Sequence, residues 1–126
     1  YACITALGMR ITTALGNDAA AMARVRSAGA GVGEPIWELP LWQPYLPAIA
    51  SPVADIRNEG VPNSPGAITA ALFLQHFVDS RPWVHLDIGG TGYVEEPDAV
   101  WGVGATGVMV RTLTELLLRI SQEATA

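Results

Sequence analysis

Residues 67–78 place apolar side chains at helical intervals, with Ile68, Leu72, Gln75 and Val78 near one stripe and Ala71, Leu74 and Phe77 beside it. A face that broad predicts a buried helix, because a surface helix keeps only one narrow stripe apolar. Arg81-Pro82 ends it, since proline brings no N–H to the helical ladder. From Trp83 to Ile88 the pattern becomes that of a strand, Trp83, His85 and Asp87 on one face and Val84, Leu86 and Ile88 on the other, closing on Gly89-Gly90. A buried helix that runs into a strand confines the chain to layered α/β architectures.

The remaining segments follow from the same signals. Residues 1–7 read as a strand, and Gly8 and Gly16 bracket a loop. Asn17-Asp18 supplies side-chain oxygens to start a helix over 19–30, with Met22, Val25 and Gly29 on its inner stripe, Arg24 and Ser27 facing away, and Gly31 and Gly33 ending it. Pro35, Pro40 and Pro44 forbid a long helix thereafter, while Trp37 and Trp42 predict an ordered loop packed on a core. An extended piece at 52–58 leads to the turn-rich run 60–66, which either lines a site or turns a corner. A long loop carries Glu95, Glu96 and Asp98. Thr106 is placed to cap a last helix over residues 107–122, with Val108, Leu113, Leu116, Leu117 and Ile120 as its apolar face.

The 126 residues fit one domain. Half of them are apolar and only 15% are charged, against roughly 25% in an ordinary soluble domain. Part of the apolar surface is therefore expected to form an interface with another domain or subunit. A net charge of −5 and seven basic residues, all Arg and scattered from Arg10 to Arg119, leave no basic patch for a nucleic acid. There is no lysine, so chemistry that needs one must find it outside these residues. Cys3 is the only cysteine, which excludes an internal disulfide and a thiolate zinc site and fits a reducing compartment. No apolar run reaches the roughly 18 residues of a membrane span and residues 1–7 lack a signal-peptide pattern, so a cytoplasmic location is expected. The abrupt opening at Tyr1 reads as a cut through a larger protein.

Several constellations carry chemistry on paper. Gly102-Val103-Gly104-Ala105-Thr106-Gly107 has the spacing of a dinucleotide fingerprint, but only one helix follows it where a helix and a second strand ending in an acid are needed. A flexible loop before a helix is the better account. His85 and Asp87 share a strand face and form either a metal-binding or His–carboxylate pair, or a hydrogen-bonded polar pair at a strand end. His76 lies on the polar edge of its helix and is expected in solvent. Asp55, Arg57, Asn58 and Glu59 gather polar groups beside the turn-rich run, as a cleft border or as a surface ion pair. Ser51 or Ser64 with His85 and an Asp has the residue types of a triad but no nucleophile-elbow signature.

Four collinear stretches resemble the leucyl aminopeptidase family. They are Ala2-Cys3-Ile4-Thr5-Ala6-Leu7-Gly8; Trp37-Glu38-Leu39-Pro40-Leu41; Ala54-Asp55-Ile56-Arg57-Asn58 with the run from Pro65 to Leu74; and the run from Trp83 to Thr91 with Gly104-Ala105-Thr106-Gly107. The resemblance implies the C-terminal portion, residues 1–126, of a mixed-sheet, helix-flanked metallopeptidase catalytic domain in the α/β class. It also implies a cytosolic enzyme, hexameric when complete, that removes N-terminal residues such as leucine from peptides with two divalent ions, zinc or manganese.

In that family a lysine, aspartates and a glutamate bind the ions, and an Asn-Thr-Asp-Ala-Glu-Gly-Arg segment supplies part of the set. None of that segment is present, so the resemblance implies no catalytic residue and no metal ligand in these 126 residues, and an inactive chain in isolation. What it does imply is pocket wall. Gly89 and Gly92 fall in the segment that lines the pocket for the first side chain, where relatives carry alanine and a larger residue, so two glycines would widen the pocket. Ala2 belongs to the same wall, and Tyr1 stands where the family has the glycine of a Thr-Leu-Thr-Gly segment and would crowd the cleft. A non-catalytic interaction module built on the same fold is the alternative.

Overall fold

The structure is a computed structural model that describes residues 1–97 and 100–125. At its centre β1 (Thr12–Gly16) is flanked by β2 (Ile36–Glu38), parallel to it, and β3 (Val84–Asp87), antiparallel, in the order β2-β1-β3. The register pairs Thr13 with Trp37 on one side and with Asp87 on the other. Thr12, Thr13, Ala14 and Leu15 are all buried, so both faces of β1 are covered. Full burial erases the polar alternation that marks a strand in sequence. That is why residues 8–16 read as a loop, and the central strand is the first correction.

The second concerns α1 (Ala2–Leu7), a short helix where a strand was expected. Cys3 and Leu7 are one helical turn apart, and Cys3 is turned into the core. The helix α2 (Ala19–Gly31) begins as its sequence dictates, Asp18 Oδ1 accepting from the Ala21 N–H at 2.7 Å. It carries the chain from β1 across to the parallel β2, burying Met22, Val25, Ala28 and Gly29. Gly29 is there because β2 comes so close: a Cβ on it would lie 2.7 Å from both the Glu34 carbonyl and Ile36 Cδ1. Asn17 ties the far end of the sheet together, its amide donating to the Arg81 carbonyl at 2.9 Å and its carbonyl accepting from the Trp83 N–H at 2.8 Å.

Prolines shape the segment after β2 into a 3₁₀ turn over Gln43–Ile49, of which Ile49 is the anchor in the core. Trp37 and Trp42 do not pack inward as expected; they are 58% and 55% exposed. Residues 52–58 form bends rather than a strand. The helix α3 (Gly66–Gln75) buries Ala67, Thr69, Ala71 and Leu72, while Leu74 and Phe77 stay exposed, so its broad apolar face is only half covered. A ribbon of β4 (Tyr93–Val94) against β5 (Gly104–Ala105) follows where one long loop was expected. Glu95 and Glu96 lie between its strands, and Asp98 lies outside the described residues.

The last helix, α4 (Val110–Ala124), starts later than expected and is not capped by Thr106. That hydroxyl donates to the Thr91 carbonyl at 2.7 Å and accepts from the Val108 N–H, closing a turn. Met109, in the left-handed region at φ 70°, turns the chain into the helix. The capping oxygen comes from far away in sequence: Glu34 Oε2 accepts from the N–H groups of Met109 and Thr112 at 3.1 and 3.0 Å and from the Thr112 hydroxyl at 2.6 Å. Among the described residues no helix is long and apolar enough to cross a membrane.

Candidate functional site

Where β3 ends, α1 begins and α3 begins, the chain surrounds a polar cavity of about 600 Å³. Tyr1, Ala2, Asp87, Gly66 and Ala67 form one side, and the run from Arg57 to Ser64 forms the other. The run is held in place by its backbone. Arg57 donates to the Ile49 carbonyl at 2.9 Å, Val61 to Ala48 at 3.0 Å, and Asn63 takes a left-handed φ of 65° at the bend. The turn-rich stretch thus borders a cleft, one of the two alternatives its composition left open.

Asp87 closes the strand and faces this cavity. Its Oδ1 accepts from Cys3 Sγ at 3.2 Å and from the Gly89 N–H at 3.0 Å. Burial pushes the Cys3 thiol above its ordinary range, and the hydrogen bond and negative charge of Asp87 push in the same direction, so sulfur stays protonated. His85, two residues back, stacks on Trp83 at 6.1 Å between ring centroids. Its imidazole is held below the usual value by burial, which outweighs the pull of Asp87. Asp87 is committed to Cys3 and Gly89 and His85 to an indole, so the pair is not assembled as a catalytic dyad.

Other candidates separate in the same way. His76 is exposed at the end of α3, edge-on to Phe77. Ser51 accepts from the Val53 and Ala54 N–H groups to close a turn, while Ser64 lines the cavity without His85. No triad forms. The glycine run before α4 offers no phosphate cradle, because the Glu34 carboxylate already occupies the N–H groups at that helix start. Of the expected pocket residues, Ala2 lines the cavity and Gly89 and Gly92 do not. Gly89 sits behind Asp87, where a Cβ would lie 3.1 Å from Asp87 Oδ1, and Gly92 turns back on the Ile88 carbonyl through a 2.8 Å hydrogen bond. Gly90 between them is wedged against α1, a Cβ there falling 2.6 Å from the Gly8 carbonyl.

Glu34 is the residue sequence reasoning missed. It is 3% exposed, and Arg111 Nε donates to its Oε1 at 3.3 Å. Burial pushes its carboxyl up, but hydrogen bonds from Thr112 and then Arg111 outweigh this and leave it below the usual carboxylate range. Beside it lies a second cavity of about 540 Å³, walled by Thr12, Thr91, Thr106, Tyr93, Trp101 and Arg111 among others, with the Arg111 guanidinium 5.4 Å from the centroid of the Trp101 ring.

A two-ion centre does not fit the residues present. Among those described, no three His, Cys, Asp or Glu side chains gather closely enough to hold a metal ion. Asp87 and Glu59 are the carboxylates of the first cavity.

Residues 1–114 match the cytosol aminopeptidase family, catalytic domain. A probable cytosol aminopeptidase of Geobacter sulfurreducens is 48% identical over 116 residues, 92% of this chain and 23% of that protein. One from Rhodopirellula baltica is 46% identical over 112 residues, 89% of this chain and 22% of the relative. Among solved structures, a mutant of tomato leucine aminopeptidase superposes with a TM-score of 0.85 at 38% identity, covering 94% of this chain and 22% of that one. The bottromycin maturation enzyme BotP in complex with Mn gives a TM-score of 0.89 at 38% identity, with coverages of 95% and 27%. The helix-flanked mixed sheet is therefore that of a peptidase catalytic domain. The chain belongs to the cytosol aminopeptidase family. It spans about a quarter of the length of the relatives it matches.

Proposed function

We propose that these residues form part of a metal-dependent aminopeptidase that removes N-terminal residues, leucine among them, from peptides. The chain supplies pocket wall and assembly surface, and the metal ligands and lysine come from other residues of the same protein. The observation that carries this reading is the family match across residues 1–114, which takes in every segment bordering the first cavity. The Mn bound to BotP supports divalent ions, zinc or manganese, as the enzyme's cofactors. Such ions, when bound, would polarise the scissile carbonyl and generate hydroxide. Since the residues here do not fit them, their part is to shape the cleft: Ala2 leaves room beside α1, the backbone-tethered run from Arg57 to Ser64 forms the facing wall, and Asp87 fixes the strand end. Gly89 and Gly92, which lie behind that strand end and off the cavity wall, act on the first-residue pocket only through the placement of Asp87 and Ile88. A cytoplasmic location and a homo-hexamer complete the proposal.

The test is hydrolysis of a leucyl anilide by the product of the whole reading frame that encodes these residues. EDTA should abolish turnover, and Mn²⁺ or Zn²⁺ should restore it; hydrolysis indifferent to chelation would overturn the proposal. The absence of a metal-binding cluster among the described residues favours a second reading, a non-catalytic interaction module. It predicts no turnover from that same product under any metal.

A further inference from the structure

The helix α1 is wedged between the end of β3 and the start of α3. Gly66 opens α3 without a side chain, and a Cβ on it would lie 3.0 Å from the Ala2 Cβ, so Ala2 seats directly against α3. At the other end of α1 the contact is with Gly90, where a Cβ would fall 2.6 Å from the Gly8 carbonyl and 3.2 Å from Ile4 Cγ1. Between these two points one polar side chain fastens the helix. Asp87 Oδ1 takes the Cys3 S–H at 3.2 Å and the Gly89 N–H at 3.0 Å. Cys3 adjoins Tyr1 and Ala2, which border the first cavity.

What Asp87 does not bind separates a role in the cleft from a purely structural one. Thr13 stands opposite it across the sheet, on the same face, and the Thr13 hydroxyl is buried with no hydrogen-bond partner among the described residues. A carboxylate placed only to stabilise the sheet would meet that hydroxyl, because a buried polar group left unpaired is costly. Asp87 instead directs Oδ1 to α1 and to the turn after β3. Such breaches of local satisfaction are expected where a site has to be held in shape. We propose that Asp87 is a positioning residue for the cleft: through Cys3 and Gly89 it holds Ala2 at a fixed separation from the facing run of Arg57 to Ser64, and so sets how closely the walls grip a substrate side chain. A displaced wall weakens binding of substrate and transition state alike, so loss of the tether is read in KM rather than in kcat. The catalytic consequence rests on the peptidase reading above; the tether rests on these contacts alone.

Two readings on the product of the whole reading frame test it: kinetics on a leucyl anilide, and amide hydrogen exchange over residues 2–8. Asp87→Ala should raise KM about fivefold or more with kcat within about twofold, and should speed exchange over 2–8 about tenfold or more. Bound Mn²⁺ per chain should not change. Asp87→Asn keeps an acceptor oxygen for both donors and should retain the parent's KM and exchange. Thr13→Val, which removes only the unpartnered hydroxyl, should retain them as well. Cys3→Ala cuts the same contact from its other side and should move both readings in the direction of Asp87→Ala, which serves where the latter does not fold. Unchanged KM and exchange in Asp87→Ala and Cys3→Ala overturn the proposal. So does an Asp87→Asn variant as impaired as Asp87→Ala, which would make charge the cause, or a loss of Mn²⁺, which would make Asp87 a metal ligand. A Thr13→Val variant with the same defect overturns it by showing a general fault of the sheet. A parent that hydrolyses no anilide sinks the peptidase reading alone, and exchange over 2–8 then decides the tether.

Discussion

A single buried carboxylate joins segments that lie far apart in the sequence. Glu34 sits between α2 and β2 yet caps α4 and pairs with Arg111, so residues 75 or more positions apart are joined through one side chain. Glu34→Gln should cost about 1–3 kcal/mol, read as a lower urea midpoint with unchanged slope. The pH dependence has a definite sign. The folded-state value of Glu34 is depressed, so its contribution is present above the unfolded carboxylate value of about 4.3 and is lost as pH falls through the folded one. His85 acts in the same direction, since burial lowers its value and the unfolded chain takes up the proton first, below about 6.5. Stability should therefore fall on acidification in two stages, and Glu34→Gln should remove the lower one. Cys3 acts on the alkaline side. With its folded value raised, it contributes below the unfolded thiol value of about 8.5 and loses that contribution as pH rises through the folded one. Its buried, protonated sulfur should label with iodoacetamide at least about tenfold more slowly in the native chain than in urea; equal rates would contradict its place beneath Asp87.

At the scale of elements, stability should follow the sheet and its two close approaches. Leu72→Ala, under the sheet in α3, should cost about 2–5 kcal/mol through the cavity it leaves. Gly29→Ala should cost about 1–3 kcal/mol, because its new methyl meets the Glu34 carbonyl and the Ile36 side chain. Trp37→Ala, despite the larger atom count removed, should change stability by no more than about 0.5 kcal/mol. Urea titration of the three variants separates a core built on β1 and α3 from one built on the tryptophan loop. The elements with a local signature were legible in the sequence: Asp18 announces α2, the periodicity of 67–78 gives α3, and the alternation of 83–88 gives β3. Two were not. The central strand is buried on both faces and has no alternation to read, and α1 is too short for its Cys3–Leu7 spacing to stand out. Trp37 and Trp42 misled because bulk favours burial only where a partner surface exists, and the described residues leave more than half of each uncovered. The cavity was half legible: Arg57, Asn58, Glu59 and Ala2 do line it, whereas the role of Glu34 depends on a tertiary neighbour 75 residues away that no local pattern announces.

For the molecule as a whole, the fold and the family are secure. Sequence identity of 46–48% and TM-scores of 0.85–0.89 place the sheet, its helices and the first cavity within one catalytic-domain architecture, of which these residues are about a quarter of the chain length. They contain no lysine, and no metal-binding cluster among the described residues, and the proposed function gives them the cleft wall rather than the reacting groups. The measurement that bears most directly on this is hydrolysis of a leucyl anilide by the purified 126-residue chain, folded as judged by circular dichroism, with Mn²⁺ or Zn²⁺ in excess. The rate should equal that of the metal-containing buffer alone. Metal-dependent turnover above that background would mean that a catalytic centre lies within these residues after all.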